Sequence, residues 1–233
     1  MRDPGWGVDL LPDRYAAGVD AATPTTPKDP SYYGNARTDV LRFLDAPLGR
    51  VLDVGCGAGA NAAVLRQLGA TEIVGIEIHE PSGIRAREVF DEVLIGAVED
   101  RLPDLEGEFD TILTYDVLEH LVDPYAVVGQ LRQVARMGGR LHVSLPNARN
   151  WTLMRDVAFK GSFGYTKEGH RDATHLRWFT KRDAADMLTR AGWNVDRIDH
   201  QELTKPSAFL ERVTRGTSAE FLVFQWALLA RAV

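Results

Sequence analysis

Val51-Leu52-Asp53-Val54-Gly55-Cys56-Gly57-Ala58-Gly59 is the stretch that decides how this chain is read. An apolar run, Arg50 to Val54, ends in three alternating glycines, and Asn61 to Leu68 then places Ala62, Leu65 and Leu68 on one helical face before Gly69 stops the helix. That order is strand, tight turn, helix. Glycines let the backbone approach a ligand closely, and the helix behind them offers free N–H groups. The spacing 55, 57, 59, with alanine at 60, does not match the dinucleotide fingerprint G-x-G-x-x-G. Glu77 ends a second apolar strand, Glu72 to Ile78, and lies 18 residues beyond Gly59, where an acid can accept hydrogen bonds from both hydroxyls of a ribose. An adenosine-bearing ligand with no essential pyrophosphate fits the pair.

Working outward, strands and helices alternate. Glu80-Pro81-Ser82 opens a helix through Phe90, with proline at a tolerated first-turn position. Val93 to Ile95 and Phe109 to Thr114 read as the third and fourth strands, Pro124 to Arg136 as a helix stopped by Gly138-Gly139, and Arg140 to Leu145 as the fifth strand. Such alternation predicts an α/β fold with a parallel sheet covered by helices on both faces. Before it, Val40, Leu41, Phe43 and Leu44 have helical spacing that ends ahead of Pro47. After Pro146 the rhythm breaks. Residues 148–179 are too long for a plain connection and carry Trp151, Phe159, Phe163, Tyr165, Trp178 and Phe179, as lids and binding loops do. Thr180 with Asp183 resembles a capping box on a helix that closes at Gly192, and Trp193 to Asp199 and Phe221 to Ala230 are the last strand candidates. Residues 1–31 hold five prolines and little periodicity, so they read as an arm ahead of a single domain, 32–233.

The composition narrows the class. At 233 residues, 45% hydrophobic and 26% charged, the chain can build a sizeable core. Its start shows no basic segment followed by an apolar stretch, and no run of roughly 18 apolar residues occurs, so a cytoplasmic protein without a membrane span is expected. Cys56 is the one cysteine, which excludes an internal disulfide and a cysteine-built zinc site. A formal net charge of −6 argues against nucleic acid as partner, because such surfaces are basic.

Taken together, VLDVGCGAG, the acid of GIEI and DVLEHLVDP resemble the class I S-adenosylmethionine-dependent methyltransferases over roughly residues 32–199. The resemblance implies a Rossmann-like seven-stranded, mostly parallel sheet with an antiparallel last strand, and S-adenosyl-L-methionine as cofactor. It implies that Gly55, Gly57 and Gly59 line the methionine half, that Asp53 braces the loop or reaches the amino group, and that Glu77 holds the ribose. Glu99 becomes the adenine-amine acceptor with Val98 beside it, because Ala97 stands where the family often has an acid. Tyr32, Tyr33 and Arg37 resemble a leading helix that closes over the cofactor, with Arg37 meeting the methionine carboxylate.

Asp116-Val117-Leu118-Glu119-His120 follows the fourth strand, at the sheet edge where ligands bind, and Asp116 is counted with the cofactor residues. Its D-x-x-E-H spacing resembles ubiquinone-biosynthesis O-methyltransferases, whose acids and histidine are associated with a divalent cation. With two acids and one histidine the shell is incomplete, so a metal is not favoured here. The D/N-P-P-Y/F tetrad of DNA and some protein N-methyltransferases is absent. His170 to Thr180 resembles the D-x-T-H-L-R-F-F-T stretch of bacterial methyltransferases linked to glycan assembly. Transfer to a hydroxyl needs a base, and histidine suits that role, with His175 as first choice, His120 as second and Asp172 as orienter. Arg171 and Arg177 could bind an anionic group on the acceptor, and Trp151, Met154 and Ala158 could form a lid face. The expected reaction is O-methylation of a small-molecule or sugar hydroxyl, with a homodimer left open. An amine acceptor, a nicotinamide-dependent oxidoreductase and a non-catalytic S-adenosylmethionine-binding protein are the alternatives.

Overall fold

The computed structural model describes residues 36–167, 169–200, 212 and 219–233. The N-terminal arm with Tyr32 and Tyr33, and most of 204–219, lie outside the described residues.

Seven strands form one sheet: β1 (Gly49–Val54), β2 (Ala70–Glu77), β3 (Glu92–Ile95), β4 (Phe109–Tyr115), β5 (Ala135–Pro146), β6 (Trp193–His200) and β7 (Gln225–Ala232). Their spatial order is β3-β2-β1-β4-β5-β7-β6. The pairs β1/β2, β1/β4, β2/β3 and β4/β5 are parallel, whereas β7 runs antiparallel to both β5 and β6. The sheet is therefore mostly parallel with an antiparallel last strand. Strand order reverses at β1/β4, so the carboxyl ends of β1, β2 and β4 open together onto the crevice where α/β sheets bind ligands.

Alternating residues of the central strands feed two cores. On one face Val51, Ile73 and Leu113 bury against α1 (Thr38–Leu41), α2 (Ala62–Gln67) and α3 (Glu80–Ala86). On the other, Leu52, Val54, Val74 and Ile76 meet α4 (Val98–Arg101), α5 (Pro124–Val134) and α7 (Lys181–Arg190). The cap of α7 forms as its sequence suggests: Asp183 N–H donates to Thr180 Oγ1 (3.2 Å) and the threonine hydroxyl donates back to the Asp183 carboxylate (2.8 Å). Among the described residues no helix is long and apolar enough to cross a membrane.

Several boundaries differ from expectation. Helix α5 ends at Val134, because Ala135 already has extended backbone and pairs with Phe109, and β5 runs on through Gly138, whose φ of +75° suits glycine. Helix α3 is regular only to Ala86, with Val89 and Phe90 N–H turning back onto the Ala86 carbonyl. The expected strand 221–230 starts at Gln225. The backbone before it forms α8 (Ala219–Leu222), and the Glu220, Val223 and Phe224 carbonyls accept from the 147–150 turn instead of a strand. The insertion contains α6 (Trp151–Lys160), and its ends are pinched together where Ala148 N–H donates to the Phe179 carbonyl at 2.9 Å.

Candidate active site

The glycine loop sits at the end of β1, between the ends of β2 and β4. Gly55 and Cys56 donate to the Ile76 carbonyl, which ties the loop to β2. Gly55 has φ +72°, and a Cβ there would lie 2.5 Å from Val117 Cγ2. Gly55→Ala is accordingly expected to lower stability by about 1–3 kcal/mol through the left-handed backbone alone, with the clash added. Urea unfolding of Gly55→Ala and of Gly55→Ala/Val117→Ala checks this, since trimming Val117 relieves the clash and leaves the backbone strain.

Two buried carboxylates lie beneath this loop. Glu77 accepts from Gly57 N–H (2.8 Å) through one oxygen and from His79 N–H (2.7 Å) through the other, so its carboxylate plane is fixed at the end of β2. Asp53 accepts from Asn61 Nδ2 (3.0 Å). Burial pushes the Asp53 carboxyl up to about 7, a rise opposed by the Asn61 hydrogen bond and assisted by the Glu77 charge. This donor set fits S-adenosylmethionine: one acid for a diol, and a second whose charge is costly until a cation such as an ammonium group comes near. Between about pH 4 and 7 the folded chain holds a proton on Asp53 that the unfolded chain releases, so stability falls as pH rises across that window. Denaturation midpoints of wild type and Asp53→Asn, measured from pH 4 to 8, should show the slope in the first and its loss in the second. Val98 is buried and Glu99 partly buried at the start of α4, beside the end of β3.

On the β4 side of the loop lies a cavity of about 260 Å³, walled by Arg37, Asp39, Asp116, Glu119, Pro146, Gly169, Asp172, His175, Phe224 and Gln225. Asp116 closes it at the end of β4 with φ +55°, the one described non-glycine residue at positive φ. Strain of this kind persists where surrounding contacts hold it, and here they do: Arg37 Nη1 and Gln225 Nε2 both donate to its carboxylate, and Ser144 Oγ lies 3.4 Å from it. Arg37 also donates to Asp39 (3.0 Å) and to Gln225 Oε1 (2.8 Å), and its own N–H donates to Asn61 Oδ1 (2.9 Å). Asn61 thus links Arg37 to Asp53 on β1.

The opposite wall comes from the insertion. Leu176 and Arg177 N–H both donate to the Glu119 carbonyl (2.8 and 3.0 Å), which straps the His170-to-Thr180 segment onto the turn after β4. His120 and His175 meet edge to face with ring centroids 4.7 Å apart. Glu119, His120 and His175 each bring one donor atom within 4.8 Å of the others, a grouping compact enough for a cation. Asp172 Oδ1 accepts from Thr174 N–H (2.8 Å) and from the Thr174 hydroxyl (2.7 Å), so its link runs through Thr174 toward His120.

Two expectations for the insertion change. Arg171 forms an ion pair with Asp156 (3.2 Å), and Arg177 donates to the Leu176 and Val122 carbonyls, so both guanidinium groups are engaged by the protein itself. Trp151 and Met154 are 48% and 41% exposed on α6 and outside the cavity wall, because that helix buries its Leu153/Asp156 side instead. Glu119, singled out in the motif after the fourth strand, lies in the wall, and Asp39, Phe224 and Gln225 join it beyond the residues expected from sequence. Gln225 gave no sequence signal, being a single polar residue where a strand was expected to be already under way.

A methyltransferase-domain family model matches residues 31–198. The ubiquinone biosynthesis O-methyltransferase of Thiobacillus denitrificans is 36% identical over 200 residues, covering 78% of this chain and 82% of that one. Its namesake from Xanthomonas euvesicatoria is 30% identical over 186 residues, covering 75% and 74%. A SAM-dependent methyltransferase structure from Archaeoglobus fulgidus matches with TM-score 0.60 at 17% identity, covering 79% of this chain and 86% of the other. Magnesium protoporphyrin IX methyltransferase from Synechocystis PCC 6803, with bound SAH, gives 0.52 at 20% identity, covering 82% and 76%. The solved structures agree with the fold, and the family model and the curated relatives give the family: the chain belongs to the class I S-adenosylmethionine-dependent methyltransferases.

Proposed function

We propose that the protein methylates a hydroxyl of a small-molecule or sugar acceptor and that a histidine of the His120/His175 pair takes the hydroxyl proton. The observation that carries this reading is the pair itself, edge to face at 4.7 Å, with His175 in the wall of the cavity beside the glycine loop. The names of the curated relatives, O-methyltransferases of ubiquinone biosynthesis, support an oxygen acceptor. The cofactor brings a methyl group activated for displacement by its sulfonium. Glu77 would hold the ribose, Asp53 and Arg37 the methionine end, Val98 and Glu99 the adenine, and Gly55, Gly57 and Gly59 would let the backbone come close. Tyr33, outside the described residues, completes the proposed set. What remains for the chain is to align an acceptor oxygen and remove its proton, which are matters of position and general-base chemistry.

Incubation with S-adenosylmethionine and a panel of catechols, simple glycosides and primary amines, followed by S-adenosylhomocysteine formation, tests the reading. Turnover with hydroxyl acceptors and none with amines is expected. Turnover with amines alone would overturn it. The Glu119/His120/His175 grouping favours one second reading, in which a divalent cation activates the hydroxyl. That reading predicts loss of turnover on treatment with a chelator, where the histidine base predicts none.

A further inference from the structure

The histidine pair needs one ring nitrogen bare of hydrogen before it can accept a proton, and the structure supplies a device that decides which one. His120 Nδ1 has two partners at 3.1 Å, the Thr174 carbonyl oxygen and Thr174 Oγ1. The carbonyl can only accept. The threonine hydroxyl has a single proton, and the Asp172 carboxylate at 2.7 Å takes it, so towards His120 that oxygen also presents a lone pair. Facing two acceptors, Nδ1 must carry the hydrogen of the neutral ring, and Nε2 is left as the acceptor.

We infer that Thr174 is a positioning residue for His120, holding it as the Nδ1–H tautomer through the Asp172–Thr174–His120 chain. The arrangement is rigid at both ends. Asp172 Oδ1 also receives the Thr174 N–H at 2.8 Å, and the two residues after His175 are tied to the Glu119 carbonyl next to His120. The same geometry suits the ring after it gains a proton, since the imidazolium keeps its Nδ1–H on two acceptors with the Asp172 carboxylate one hydrogen bond away. An aspartate can thus support a histidine with the threonine hydroxyl as intermediary. This inference rests on the histidine-base reading for its purpose, although the tautomer is a property of the protein alone.

The test is nitrogen-15 NMR of the histidine rings in the full chain, at a pH where they are neutral. It requires neither cofactor nor acceptor, so it returns the same answer if the hydroxyl reading fails. Wild-type His120, assigned by its absence in His120→Gln, is expected to show a protonated Nδ1 and an unprotonated Nε2. In Thr174→Val the two ring-nitrogen shifts should move toward each other as the second tautomer becomes populated, and Thr174→Ser should restore them. Protonation of Nε2 in wild type would overturn the inference, even with no variant in hand. So would identical ring shifts in wild type and Thr174→Val.

Discussion

Replacing Glu77 with alanine is expected to weaken binding of S-adenosylmethionine and S-adenosylhomocysteine by about 100-fold or more, the scale of two hydrogen bonds to a charged acceptor. The carboxylate is 4% exposed, and its two oxygens are set by the Gly57 and His79 N–H groups, so it meets a diol with no reorganisation. Those same bonds mean that the alanine variant also orphans two backbone donors, at a stability cost of about 1–3 kcal/mol. Glu77→Gln grades the effects: it keeps the shape and one acceptor oxygen but sets its NH2 against one of the two backbone N–H donors, so it should lose about tenfold in affinity and about half the stability that the alanine variant loses. Calorimetric titration with both adenosyl ligands and with NADH reads the result directly. Unchanged affinity in Glu77→Ala would remove Glu77 from the cofactor site.

The second large effect concerns turnover. Alanine at His175, or at His120, is expected to cut kcat by about 10²- to 10⁴-fold, the usual worth of a positioned general base, while leaving cofactor affinity intact. If the two rings act as a unit, the double variant should be little worse than the more damaging single one, because a broken pair cannot be broken again. Steady-state kinetics on a hydroxyl acceptor, with cofactor binding measured alongside, checks both statements. Loss of binding and rate together at His175 would mark it as a structural tie between the insertion and the sheet. A neutral amine acceptor needs far less of a base, so a double variant with nearly full activity would point to nitrogen.

The fold was legible where periodicity and glycine chemistry agree. Residues 51–68 announce a strand, a tight turn and a helix, and Glu77 falls at the end of the next strand, where the sheet places it beside the Gly57 N–H. Strand ends were harder to read. Ala135 and Arg136 look helical by spacing, yet pairing with β4 pulls them into β5, a tertiary choice that local pattern does not encode. Phe221 to Phe224 read as a strand because they are apolar, but the Val223 and Phe224 carbonyls serve the 147–150 turn. In the site, acids and histidines with motif spacing could be named from the sequence, whereas their wiring could not. That Arg37 clamps Asp116, that Gln225 joins them from β7, and that Asp172 reaches His120 through Thr174 all depend on contacts between residues far apart in the chain.

The most direct measurement of the central claim is the atom that receives the methyl group. S-adenosylmethionine labelled with carbon-13 at the methyl, turned over with the mixed panel of catechols, glycosides and amines, gives a product whose carbon signal reports the bond formed. The account predicts a methoxy carbon on a hydroxyl-bearing acceptor, diminished by alanine at His120 or His175. An N-methyl carbon that both variants leave at full strength would contradict it.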